Sequence, residues 1–160
     1  MIGPVFDAAA LQAYLRTRIP LAAAMQLEVL AADAEAVRIG VPLAPNTNQH
    51  GTAFGGSVAT LAMLTAWSLL HVRLQAAGIP NQLVIQRGCV EYERPIAGAF
   101  SARSSLRAAA DWPPFVNGLR RRGKARIAVR VALEYEGATA ARFDGEFVAL
   151  GAGTSPRRST

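Results

Sequence analysis

Residues 57–77 decide how the rest of this chain must be arranged: Ser57-Val58-Ala59-Thr60-Leu61-Ala62-Met63-Leu64-Thr65-Ala66-Trp67-Ser68-Leu69-Leu70-His71-Val72-Arg73-Leu74-Gln75-Ala76-Ala77. Alanine, leucine and methionine favour a helix. Gly78 supplies its C-terminal stop and Pro80 prevents resumption. No charged residue occurs from Ser57 to Val72. A surface helix would show a polar face. A membrane span needs about 20 predominantly apolar residues, and this segment is interrupted by Thr60, Thr65, Ser68 and His71. The remaining option is a long helix enclosed by its own protein, with Ala59, Ala62 and Ala66 letting a sheet approach closely.

The flanking segments supply that sheet. Asp7 can cap a helix over residues 7–18, which Pro20 stops. Met25 to Ala32 reads as a first strand, with Asp33 at a turn. Val37, Ile39 and Val41 then alternate with Arg38 and Gly40, the period-two pattern of a half-buried strand. After the long helix come Leu83–Arg94 and Phe100–Arg107, separated by a turn at Pro95 and Gly98. Ala108–Gly123, with Trp112-Pro113-Pro114 and an arginine run, reads as a loop with one helical turn at most. Two clean strands close the chain. Ile127, Val129, Val131, Leu133 and Tyr135 share one face; Phe143, Gly145, Phe147 and Ala149 oppose Arg142, Asp144 and Glu146. A sheet must bury its apolar face against another layer. The pattern therefore predicts an α+β domain over residues 1–151: a curved antiparallel sheet around one central helix at 57–77, an extra N-terminal helix, and a flexible tail at 152–160.

Bulk composition sets the class. With 160 residues, 51% hydrophobic and 18% charged, the chain fits one domain with a substantial core. The formal net charge is +6, concentrated in Arg120, Arg121, Arg122, Lys124 and Arg126 and in the tail pair Arg157 and Arg158. Such charge is either solvated surface or a phosphate-contacting edge. Base-stacking motifs are missing, so charge alone does not make a nucleic-acid protein. One cysteine, Cys89, allows no internal disulfide, and its apolar surroundings suggest a buried packing thiol. The two histidines are far apart and no metal-ligand spacing occurs, so neither metal nor cofactor is expected. The start, Met1 to Asp7, lacks a basic, apolar leader, so a cytosolic location without membrane attachment is expected.

The most unusual segment is the loop Leu43–Gly56, which has no apolar rhythm. Its end, Asn48-Gln49-His50-Gly51-Thr52-Ala53-Phe54-Gly55-Gly56-Ser57, resembles the active-site loop and helix start of hotdog-fold thioesterases. More specifically, Asn46 to Leu70, with Gly-Thr-x-Phe-Gly-Gly-Ser leading to Trp67, resembles the thioesterase domain family found at the C-terminus of YiiD-type proteins. Tyr92-Glu93-Arg94-Pro95-Ile96 and Phe143-Asp144-Gly145-Glu146-Phe147-Val148 agree in order and spacing. The resemblance implies a hotdog fold, side-by-side homodimers or higher oligomers, and hydrolysis of an acyl-CoA or acyl-carrier-protein thioester. It also marks two departures: Phe54 stands where many relatives have His, and Met63 where many have the catalytic acid. No carboxylate occurs on the helix.

The chemistry assigns candidates. A helix N-terminus offers free backbone N–H groups, and Gly55 and Gly56 have no side chains to block approach. The amides near Gly56 and Ser57 are therefore expected to receive the thioester oxygen; a tight turn before the helix is the alternative. By resemblance, Asn48 orients water or substrate, against a turn-forming role for its side chain; Asn46 has the same choice. His50 can accept a proton from water. Ser57 lacks nucleophile context, and capping the helix is its default role. Phe54, Gly55, Met63 and Thr65 are expected along the substrate, although Thr65 can equally bond a helix carbonyl. Arg120, Arg121 and Arg122 are candidates for CoA phosphates or an acidic carrier. Glu91 and Glu93 are remote acids expected in solvent, and His71 is expected to be a core residue. Two other activities remain open: a non-catalytic acyl-thioester-binding or sensing module, and, less favoured, a hotdog dehydratase or hydratase.

Overall fold

The computed structural model describes residues 6–153. The tail pair Arg157 and Arg158 and most of the expected flexible tail lie outside that range, as do Met1 to Val5. Twelve elements follow in order, ten of them named here: α1 (Ala8–Arg18), α2 (Pro20–Ala24), β1 (Glu28–Ala32), β2 (Val37–Val41), α3 (Gly55–Ala76), β3 (Asn81–Tyr92), β4 (Phe100–Leu106), α4 (Trp112–Arg122), β5 (Lys124–Tyr135) and β6 (Ala138–Gly151). Short 3-10 turns at Ala44–Asn46 and Ala109–Asp111 complete the order. The six strands form one antiparallel sheet in the order β1-β2-β4-β5-β6-β3.

Strand alternation aims one face of this sheet at α3. The row Val37–Ser104–Val131–Phe143 crosses β2, β4, β5 and β6, and each of these side chains is buried. Ser104 is satisfied there by the backbone of Val37. From α3, Leu61, Leu69, Leu70 and Leu74 fill the concavity with no measurable exposure. At about 25 cal/mol per Å² of apolar area, such burial is the main stabilising term. By length and composition α3 is apolar enough to cross a membrane, but 61% of its most apolar window is buried in the protein. Enclosure by the sheet therefore explains its missing charges.

The enclosure is incomplete, which corrects the expectation of a fully buried helix. Gly56, Ala59, Thr60, Met63, Trp67 and His71 remain half-buried along one stripe of α3, because β3 and α1 flank that stripe without meeting over it.

Four local readings differ. Pro20 ends α1 but also begins α2, because a proline at the first helical position lacks only an N–H that would have no partner. β1 consequently starts at Glu28, not Met25. Residues 112–122 form a full helix rather than a loop. Pro113 and Pro114 sit in its first turn, Phe115, Val116 and Leu119 are buried, and Gly123 ends it at φ +67°. Cys89 is exposed on the outer face, not buried. A bulge between Ile85 and Arg87 shifts the parity, so that Gly88 and Val90 turn inward and Cys89 faces outward opposite Asp144.

Candidate active site at the start of α3

The loop that enters α3 is built by two asparagines. Asn46 is 1% exposed, and its Nδ2 donates to the carbonyls of Met25 at 3.0 Å and Pro42 at 2.8 Å. Its own carbonyl accepts the Phe54 N–H at 2.7 Å. Asn48 Oδ1 accepts the amides of His50 at 2.8 Å and Thr52 at 3.2 Å, while its Nδ2 donates to Thr52 Oγ1 at 2.9 Å. Both side chains therefore hold the loop, and Asn48 takes the turn-forming role rather than presenting a free amide.

The loop delivers the chain to α3 with its first amides open. Phe54 is the N-cap residue and makes no side-chain cap bond. The N–H groups of Gly55, Gly56 and Ser57 have no intrahelical acceptor, and no other backbone or side-chain acceptor takes them among the described residues. The helix starts two residues earlier than expected, so Ser57 is its third residue and not its cap. The Phe54 ring, 56% exposed, folds back over Gly56. A Cβ at Gly56 would lie 2.3 Å from Phe54 Cε1. Only glycine lets the ring and helix backbone approach so closely.

A residue the sequence reading used only as a landmark completes the site. The Tyr92 hydroxyl, from the end of β3, donates to the Gly55 carbonyl at 2.9 Å, and its ring lies against Gly55. Parity was the available signal: Tyr92 shares the inward face with Val90. A cavity of about 430 Å³ opens here, lined by Thr52, Gly55, Val58, Tyr92 and Ile96 among others. A larger depression of about 610 Å³ lies on the outer face around Arg38, Ser101 and Glu134; among the described residues no unpaired helix amide lines it.

The other candidates separate. Thr65 is fully buried and its hydroxyl donates to the Leu61 carbonyl at 2.6 Å, the helix-bonding alternative. His50 is exposed, its ring within 3.2 Å only of Gln49 Nε2. Met63 lies on the half-buried stripe. Glu93 was expected in solvent but lines the Tyr92 cavity, its carboxylate paired with Arg142 at 2.6 Å, while Glu91 faces solvent. His71 is half-buried and stacked, not deep in the core; its burial pushes the imidazole pKa below 6.5. Arg120, Arg121 and Arg122 are exposed at the end of α4, next to Lys124. Tyr92 aligns with Ala141 and Leu133 across the sheet. Lys124 is at the far end of that same β5, roughly 30 Å away at about 3.3 Å per residue. Within one chain the arginines do not reach the α3 start. Among the described residues, no cluster of three His, Cys, Asp or Glu side chains could hold a metal.

Comparison with known proteins gives the family and the fold. Residues 8–151 match the family described as "Putative thioesterase (yiiD_Cterm)". A structure from Shewanella oneidensis named a "putative thioesterase" is 26% identical, with a TM-score of 0.81 over 89% of this chain and 96% of that one. A protein of unknown function from Chlorobaculum tepidum is 25% identical, with a TM-score of 0.84 over 90% and 94%. A thioesterase from Haemophilus influenzae shares 11% identity and, at a TM-score of 0.75 over 98% of both chains, the fold. The architecture is the hotdog fold.

Proposed function

The chain belongs to the YiiD C-terminal thioesterase family, hydrolases that act on thioesters, and on that footing we propose that it cleaves acyl-CoA or acyl-carrier-protein thioesters at the start of α3. The observation that carries this reading is the set of unpaired amides at Gly55, Gly56 and Ser57 beside the Tyr92 cavity. The thioester oxygen sits on the Gly56 and Ser57 amides, where the helix dipole and N–H groups stabilise the developing oxyanion. The Ser57 hydroxyl, without a hydrogen-bond partner among the described residues, aims the water. Asn48 acts by holding the loop that sets this entry, and His50 on the loop rim takes the proton through solvent. Hydrolysis adds water across the C–S bond and releases a carboxylic acid and a free thiol.

The working unit in this reading is a homodimer in the cytosol. β3 is an edge strand of twelve residues with Val84 and Ile85 exposed, and a long apolar edge invites pairing. Antiparallel self-pairing of β3 would bring the Asn81 end of one copy, with its arginine-rich α4 end, beside the Tyr92 end of the other. That supplies phosphate contacts for CoA, or for an acidic carrier, that one chain lacks.

A second reading, an acyl-thioester-binding or sensing module, is favoured by the lack of any carboxylate on α3, where Met63 occupies the open face. Thiol release from a panel of acyl-CoAs, for the parent and Asn48→Ala, separates the two. Release that falls in the variant supports hydrolysis at this site. Tight binding without release supports the sensor, and turnover indifferent to Asn48 removes the loop from the mechanism.

A further inference from the structure

We propose that Trp67 is a chain-length stop, so that the site is built for acyl groups of about eight to ten carbons; this rests on the thioesterase reading and names its substrate class. The half-buried stripe of α3 runs from Gly56 through Ala59, Thr60 and Met63. Beside it, Ile85, Gly88 and Val90 of β3 face the same side and are not fully buried. The two elements thus border a mainly apolar groove that begins at the unpaired amides and Tyr92.

The groove ends at an aromatic wall. Trp67 Nε1 donates to the Leu83 carbonyl at 3.1 Å, so the indole bridges α3 and β3. Its other face is backed by His71, with ring centroids 4.4 Å apart and planes 17° from parallel. Tyr14 from α1 stacks on both, 4.9 Å from His71 and 6.1 Å from Trp67. Beyond the wall lies a separate cavity of about 490 Å³, lined by Phe6, Tyr14, His71 and Val72 among others. The indole, locked by a hydrogen bond and two stacks, cannot turn aside at little cost.

Length follows from the helix. From Gly56 to Trp67, at about 1.5 Å per residue, the backbone advances roughly 16 Å. Helical side chains lean toward the N-terminus, so the indole covers about one position nearer the amides, and its thickness removes a further roughly 2–3 Å. About 12 Å remains, and C–C bonds of about 1.5 Å advance an extended chain by about 1.25 Å per carbon, which gives nine or ten carbons.

The test uses two measurements on the whole protein. Non-hydrolysable acyl-CoA thioethers of two to sixteen carbons report binding by calorimetry, and the matching thioesters report turnover. Affinity is expected to tighten about fourfold per methylene, as apolar burial predicts, and to stop tightening at eight to ten carbons. Trp67→Ala should move that break to twelve carbons or more, into the space before the rear cavity, whereas Ala59→Phe should move it to six or fewer. Melting curves establish that each variant is folded; the break in the parent protein tests the wall even if one is not. Affinity that keeps rising to sixteen carbons in the parent, or a break unmoved in both folded variants, overturns the proposal while leaving the hydrolase reading intact. A break at eight to ten carbons without thiol release supports the wall and overturns hydrolysis.

Discussion

Replacing Gly56 by alanine separates catalysis from folding in this protein. The new Cβ would sit 2.3 Å from Phe54 Cε1 and 2.8 Å from Cζ, so the ring must leave. It can: the side chain is 56% exposed and solvent is its alternative. Losing that partial contact costs about 1 kcal/mol, while exchanging a helical glycine for alanine gains up to about 1 kcal/mol. These offset, and the melting temperature should move by no more than a few degrees. Turnover should respond differently. The ring that shapes the surface over Gly56 is displaced, and the methyl leans toward the helix N-terminus beside the Gly56 and Ser57 amides, so the fit of the thioester oxygen on them is lost. Loss of one oxyanion donor costs about 3–4 kcal/mol, or roughly 100- to 1,000-fold in kcat. Thiol release from acyl-CoA, read beside a thermal melt, gives both quantities. Phe54→Ala combined with Gly56→Ala should relieve the clash without restoring turnover. A folded Gly56→Ala protein that keeps kcat/KM within about threefold of the parent would refute the oxyanion site at α3.

Three further outcomes are expected. Burial holds the His71 pKa below 6.5, so the unfolded chain takes up this proton first; the stabilisation is complete above pH 6.5 and drains as pH falls through the folded value. Melting temperature should therefore drop from pH 7.5 to 5, and His71→Phe, which keeps a ring in the stack, should flatten that drop; an unchanged slope assigns it to other groups. Asn46→Ala strands the carbonyls of Met25 and Pro42 and should lower the unfolding free energy by about 2–4 kcal/mol in urea titrations; a loss under about 0.5 kcal/mol would show the loop needs no such anchor. Val84→Lys with Ile85→Lys places charge on the exposed β3 edge and should give monomers by light scattering with little change in melting; a parent protein that is itself monomeric contradicts the dimer.

Much of the architecture was legible along the chain. An uncharged run from Ser57 to Val72 can be stable in water only if something covers it, and the alternating residues of β5 and β6 show which faces do the covering. Those inferences work because burial and period-two alternation are properties of local sequence. The double glycine before α3 was readable for the same reason, since close backbone approach needs missing side chains. Residues 112–122 form a helix despite Pro113 and Pro114, because the first turn of a helix tolerates proline and only tertiary burial of Phe115, Val116 and Leu119 fixes it.

The site's detailed wiring needed three dimensions. Whether Asn48 points at substrate or at its own loop depends on which amides fold back to within 3.2 Å of it. Whether Cys89 is buried depends on one extra residue in β3, which reverses every following side chain. Tyr92 reaches Gly55, and Trp67 reaches Leu83, across gaps of 37 and 16 residues. Local propensity sets helices, strands and caps because their partners lie a few residues away; which distant groups meet is settled only when the sheet closes around α3 and satisfies, or leaves open, each polar group that it buries.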